Sequence, residues 1–255
     1  AKRSDRLCGG VWIGGTAVIE GKRVLAIVPA RGGSKGLPLK NLQKLNGVTL
    51  VGMAGDCASQ VPEIDRTVVS TDHEEIAAVS REHKLDVPFM RPEEISGDRI
   101  GDLDVLTHAL HATEADDGQL YDIIVMLQPT APQREPHHVS AAIRMLFDGN
   151  WDSVWTMSPI DPKNHPLKML SYDLTTGAFD YDDAEGEKII ARQELGRLYL
   201  RNGVAYAINR SCLLEQRSIK GKNSGALVLE ENFISIDTQW DLDLVEYVMG
   251  RSDTA

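Results

Sequence analysis

Residues 24–41 read VLAIVPARGGSKGLPLKN. The first five, VLAIV, are uniformly apolar, the pattern of a strand buried on both faces. Pro29 and Ala30 end that run. Arg31, Gly32, Gly33, Ser34, Lys35 and Gly36 follow as a loop with three glycines and two cations. Glycine has no Cβ, so its backbone N–H can approach an anion closely, and several in series form an anion-binding nest. Arg31, Lys35 and Lys40 can neutralise phosphate charge, the arginine as a planar fork and the lysines as point charges. Leu37-Pro38-Leu39 sets the exit, and Asn41 can bond to a sugar or a base edge. The stretch reads as a triphosphate cradle. It is neither a P-loop nor the G-x-G-x-x-G dinucleotide fingerprint. The alternative is an ordinary glycine-rich turn, and three cations within ten residues favour the anion site.

Working outward, short apolar runs alternate with helical spacing. The pattern predicts a helix over 50–59 and a strand at 66–70 (RTVVS). A helix over 73–84, with Asp72 as its N-cap, and a strand at 86–90 follow. Next come a helix over 104–112, a strand at 123–127 and a helix over 135–147 with Pro136 in its first turn. A strand at 153–157 completes the series. Such alternation implies an α/β fold with a mainly parallel sheet covered on both faces. Ligands then sit beyond the carboxyl ends of the strands. The cradle, Ser70-Thr71-Asp72, Gln128-Pro129-Thr130 and the loop after Met157 all fall there. Residues 159–187 break the rhythm and read as an irregular segment, with DYDDAEGE as an exposed loop, lid or arm. Strands return at 204–208 (VAYAI) and 234–237, ahead of a helix over 238–248.

Of 255 residues, 42% are hydrophobic and 25% charged, an ordinary globular balance with enough chain for one large core. The net charge of −11 argues against non-specific nucleic-acid or anionic-membrane binding. An anionic substrate must therefore meet a local basic site. Cys8, Cys57 and Cys212 form no C-x-x-C pair, which disfavours a zinc site or disulfide framework and suits a reducing compartment. No apolar run approaches the ~20 residues of a membrane span.

VPARGGSKGLPLKN closely resembles the opening signature of the acylneuraminate cytidylyltransferase family, the CMP-sialic acid synthetases. The similarity runs from about residue 23 to near the C-terminus. It implies a Rossmann-like nucleotidyltransferase domain over 23–255, with an inserted segment at about 158–200 for sugar contacts and dimerisation. Residues 1–22 would be an N-terminal extension, native or added. The resemblance implies that Arg31, Gly32, Gly33, Ser34, Lys35, Lys40 and Asn41 bind the nucleotide. Arg91, in R-P-x-E-x-x-x-D, joins them. Gln128-Pro129-Thr130-Ala131-Pro132 is similar to the family's Q-P-T-S-P, which places Gln128 and Thr130 at the acceptor sugar. Lys168 falls in H-P-x-K, and Arg192-Gln193 resembles an R-Q pair that suits a sugar carboxylate. Tyr199, Asn202 and Gly203 match aromatic-x-x-N-G-x-x-Y, ending at Tyr206. Ser235-Ile236-Asp237-Thr238 stands where the family has D-I-D-T. Asp237 is then the Mg²⁺ ligand, and Ser235 replaces the other carboxylate. Asp237 also suits the N-cap of the last helix.

What the resemblance implies is transfer of CMP from CTP to the anomeric hydroxyl of a nonulosonic, sialic-type 2-keto-3-deoxy sugar acid, releasing pyrophosphate. Arg31, Lys40 and Asp237 would carry catalysis through charge and the metal. It also implies a cytoplasmic homodimer. Legionaminate, pseudaminate, KDN or Kdo as the acid, or another NTP, are alternatives on the same scaffold. A non-catalytic nucleotide-binding module is the alternative from another class, suggested by Ser235.

Overall fold

In the computed structural model, residues 19 and 21–252 are described. The expected N-terminal extension lies almost wholly outside them. The elements run β1 (Val24–Pro29), β2 (Lys44–Leu45), β3 (Val48–Thr49), α1 (Leu50–Ala58), β4 (Arg66–Ser70) and α2 (Glu74–Glu82). Then come α3 (Asp102–Asp117), β5 (Ile123–Met126), α4 (Pro136–Gly149) and β6 (Ser153–Pro159). A small hairpin, β7 (Leu170–Tyr172) with β8 (Phe179–Tyr181), precedes β9 (Tyr199–Asn209). The chain closes with α5 (Arg210–Leu214), β10 (Ser224–Val228) and α6 (Gln239–Ser252).

Six strands form one sheet in the order β10-β6-β9-β5-β1-β4. β1 pairs in parallel with β4 and β5, and β10 with β6. β9 alone runs antiparallel to both its neighbours. The sheet is mainly parallel, as the alternation implies. Side chains of β1 alternate between faces, because strand periodicity is two. Val24, Ala26 and Val28 share a core with Val51 and Ala54 of α1, Ile76 of α2 and Ile143 of α4. Leu25 and Ile27 share the opposite core with Leu106 and Leu110 of α3 and Leu213 of α5. A strand wanted by two cores has no polar face, which is why VLAIV carries no polar residue.

Several local expectations are corrected. Residues 86–90 form only a single bridge, Asp86 to Val68. Pro88 has no N–H with which to continue a ladder. The N-cap of α2 is His73, not Asp72, whose carboxylate turns instead to Gly32 N–H at 2.8 Å. Residues 234–237 are not a strand. Ile236 N–H donates to Thr130 O at 3.0 Å, but the Ile236 side chain belongs to a separate cluster. In the main sheet the unforeseen strand is β10, which pairs only with β6 and so needs no continuous apolar run; the short pair β2–β3 is also unexpected. The inserted segment is not wholly irregular, since it folds back as the β7–β8 hairpin.

Ile124 sits at the centre of the second core with no exposed surface. Ile124→Ala should cost about 2–5 kcal/mol of stability. A lowered denaturant midpoint at unchanged slope is the expected result.

Candidate active site

Beyond the last β1–β4 contact, Ala30 N–H to Ser70 O at 2.9 Å, the chain leaves the sheet as the cradle. Asn41 is buried and donates Nδ2 to Arg31 O at 2.9 Å, tying the loop's exit to its start. A Cβ on Gly32 would lie 2.7 Å from His73 Cδ2, so the loop packs flat against α2 only with glycine there. A Cβ on Gly36 would lie 2.4 Å from Asp237 O, a backbone atom that cannot yield. Leu37 is buried with Ile236, Leu242 and Val245. Apolar contact and close backbone approach together fix the cradle to the segment bearing Asp237.

The cations of the cradle face carboxylates. Arg31 Nη1 and Lys35 Nζ flank the two oxygens of Asp98 at 2.6 and 2.7 Å. Lys35 and then Arg31 hold the Asp98 carboxyl below the usual carboxylate range. Lys40 Nζ lies 2.7 Å from Asp237 Oδ1. Arg91 is buried, with Nε 3.0 Å from Ser70 Oγ and Nη2 2.5 Å from Ser70 O. Burial pushes its guanidinium down to about 10, still a cation at neutral pH.

These groups surround a cavity of 440 Å³ beyond the carboxyl ends of β1 and β5. Arg31, Gly33, Ser34, Lys40, Asn41 and Arg91 line it from the nucleotide set. Gln128, Thr130 and Asn202 line it from the sugar set, and Ser235 and Asp237 from the metal motif. Gly32 and Lys35 do not line it. The Gly32 N–H is taken by Asp72, which removes it from the anion-binding donors.

Lys168, Arg192, Gln193 and Tyr199 do not line the cavity. The first three lie on the inserted segment and Tyr199 at the exposed start of β9. His165, beside Lys168, uses Nδ1 to accept from Leu167 N–H at 3.2 Å and shapes a turn. Asn202 lines the cavity, yet its amide is largely committed. Oδ1 accepts from Thr156 Oγ1 at 2.7 Å and from Val204 N–H at 3.2 Å, and Nδ2 donates to Ser158 Oγ at 3.0 Å.

Asp98, Asp102 and Arg201 also line the cavity, as does Tyr206, the last residue of the aromatic-x-x-N-G-x-x-Y segment. Arg201 beside Asn202 was the readable signal. A strand places neighbouring side chains on opposite faces, but β9 bulges here, with its register against β6 shifting between Trp155 and Met157.

The Asp237 carboxylate, paired with Lys40, is not spent on the helix cap, which is supplied elsewhere. Asp241 Oδ2 accepts from Asp237 N–H, Thr238 N–H and Thr238 Oγ1 at 3.1, 2.8 and 2.8 Å. Asp241 N–H donates back to Thr238 Oγ1 at 3.3 Å, a reciprocal capping box. No cluster of three or more His, Cys, Asp or Glu suited to a metal occurs among the described residues. Mg²⁺ needs none, since it takes one or two carboxylates with waters and substrate phosphates. One carboxylate and one hydroxyl, Asp237 and Ser235, at a cavity lined with cations fit that requirement.

A cytidylyltransferase family model matches residues 25–224. The CMP-N,N'-diacetyllegionaminic acid synthase of Legionella pneumophila is 30% identical over 91% of this chain and 99% of its own. The N-acylneuraminate cytidylyltransferase of Escherichia coli is 26% identical over 91% of this chain and 53% of its own. Among solved structures, a CMP:2-keto-3-deoxy-manno-octonic acid synthetase complexed with CTP superposes with a TM-score of 0.67 at 19% identity. That match covers 91% of this chain and 100% of that one.

Gly36→Ala should force the cradle away from Asp237. A loss of about tenfold or more in CTP affinity by calorimetry is expected, since small displacements of positioning groups carry large penalties. Unchanged affinity would mean that the close approach does not shape the site.

Proposed function

The chain belongs to the cytidylyltransferase family, and from that premise we propose the reaction it performs. CMP passes from CTP to the anomeric hydroxyl of a nonulosonic acid, and pyrophosphate leaves. The observation that carries this is one cavity uniting Arg31, Lys40, Arg91 and Asp237 with Gln128 and Arg201. A triphosphate and a carboxylated sugar need that distribution of cations and neutral polar groups.

Arg31, Ser34 and Lys40 hold the phosphates, and Arg91 adds a buried cation beside them. The sugar hydroxyl attacks the α-phosphorus in line with the departing pyrophosphate. No protein nucleophile is required. Positioning and neutralisation of developing charge lower the barrier. Asp237, with the Ser235 hydroxyl, would hold Mg²⁺, which when bound neutralises phosphate charge. Gln128 and Thr130 orient the sugar, and Arg201 offers its fork to the carboxylate.

We further propose a homodimer built on the inserted segment. Leu170, Tyr172, Phe179 and Tyr181 of the hairpin, with Ile190, are all exposed large apolar groups. Clustered exposure of this kind marks an interaction surface. A second copy also gives Lys168, Arg192 and Gln193 a route towards a cavity they do not line within one chain. Cys57 and Cys212 are buried free thiols, which supports a reducing, cytoplasmic location. No helix among the described residues is long and apolar enough to cross a membrane.

Three measurements test these proposals. Pyrophosphate release should appear with CTP, Mg²⁺ and one member of a nonulosonic acid panel, and not with ATP, GTP or UTP. Asp237→Ala should lower that rate about 10²-fold or more, on the scale of other charge-stabilising groups. It should also abolish the Mg²⁺ dependence of thermal stabilisation by CTP. CTP binding without turnover across the panel would instead describe a nucleotide-binding module. For the dimer, Tyr172→Asp with Phe179→Asp should halve the solution mass in light scattering; an unchanged mass would remove the hairpin from the interface.

A further inference from the structure

Arg134 follows the Gln128-Pro129-Thr130-Ala131-Pro132 turn and does not line the cavity. It is buried, and none of the ion pairs among the described residues includes it. A buried guanidinium without a carboxylate is costly unless its donors are well used. All its hydrogen bonds go to backbone carbonyls. Nε donates to Val204 O at 2.5 Å, and Nη2 to Gln128 O at 2.5 Å and Gly203 O at 3.1 Å. Gln128 opens the turn that follows β5, with its O accepting from Ala131 N–H at 3.2 Å, whereas Gly203 and Val204 lie in the β9 bulge. Both segments line the cavity.

A second contact joins the same segments. Gly203 has φ +74°, and a Cβ built there would lie 2.6 Å from Gln128 Oε1. The Gln128 carboxamide therefore lies across the bare face of Gly203. A bulge frees backbone groups that must find partners. Here Gly203 N–H takes the Tyr206 hydroxyl at 3.1 Å, Ala205 N–H takes Thr156 Oγ1 at 2.9 Å, and the two freed carbonyls take Arg134.

We propose that Arg134 is a positioning residue. Its planar fork clamps the β5 turn to the β9 bulge, holds the Gln128 carboxamide against Gly203, and so sets the orientation of the acceptor sugar acid. A lysine keeps the charge but lacks the rigid fork that reaches three carbonyls. The inference rests on the cytidylyl-transfer reading for its kinetic consequence and on the free protein for its structural one.

The test uses the full chain as wild type, Arg134→Lys, Arg134→Met and Gly203→Ala. Three quantities are read: the side-chain ¹⁵N–¹H signals of Gln128 in free protein, the Kd of CTP, and kcat/KM for the sugar acid. In both Arg134 variants the Gln128 signals should shift or broaden. The value of kcat/KM for the acid should fall about 10²-fold, while the Kd of CTP moves less than about threefold. Near-wild-type behaviour of Arg134→Lys would overturn the clamp, because charge alone would then suffice. So would an equal loss of CTP affinity and acid turnover, which marks general disruption. If the Arg134 variants do not fold, Gly203→Ala presses on the same contact from the other side and should give the same selective loss; a parallel loss of CTP affinity overturns the proposal. If wild type turns over no acid, cytidylyl transfer is what fails. The Gln128 signals then decide the clamp alone, and unchanged signals in the variants overturn it.

Discussion

β1 is buried on both faces, and the site follows from that constraint. A strand held between two cores cannot drift in register without exposing apolar surface. Its end is therefore a fixed point, and the first residues beyond it inherit that fixity. The cradle begins there, braced by Asn41 on Arg31 O and by Asp72 on Gly32 N–H. Its exit is held by Leu37 in a small cluster with Ile236. The third cluster thus does for the metal segment what the two large cores do for the strand. Each turns apolar burial into placement of a polar group.

The protein is strongly acidic, yet its substrates are anions. Net charge is the wrong scale for that question, because screening confines exposed charges to about 8 Å at physiological salt. Within the cavity lining, four cations (Arg31, Lys40, Arg91 and Arg201) meet three carboxylates (Asp98, Asp102 and Asp237). The balance is locally positive where the chain as a whole carries −11. Asp98 and Asp237 also lie on the cations that phosphates would seek. On the proposed reading, nucleotide binding would exchange carboxylate partners for phosphate ones, and a divalent ion at Asp237 would take up the carboxylate that Lys40 releases.

Much of this was legible before any coordinates. VLAIV announces a doubly buried strand, and glycines with cations after it announce an anion loop. Gln128 and Asp237 are readable as cavity-lining residues because rigid or extended segments carry them. What was not legible depends on contacts distant in sequence. The Asp72 carboxylate looked like a helix cap because cap chemistry is local, whereas its partner Gly32 lies 40 residues away. Arg201 and Tyr206 enter the cavity through a bulge that no periodicity announces. Lys168, Arg192 and Gln193 sit on a segment whose large apolar groups are exposed among the described residues, and no core packing betrays its course in the sequence.

Ser235 in place of a carboxylate looks at first like a damaged metal site. The surroundings of Asp237 argue otherwise. An aspartate just before a helix is normally drawn into capping, where its oxygens serve backbone N–H groups. Here Thr238 and Asp241 cap α6 reciprocally, and Asp241 takes even the Asp237 N–H. Among the described residues the Asp237 carboxylate pairs with Lys40, which on the proposed reading would turn to phosphate once a nucleotide arrives. That carboxylate, spared from capping and held in place by its backbone contact with Gly36, would suit the Mg²⁺ site proposed above. The ion's remaining positions belong to waters and phosphate oxygens in any case.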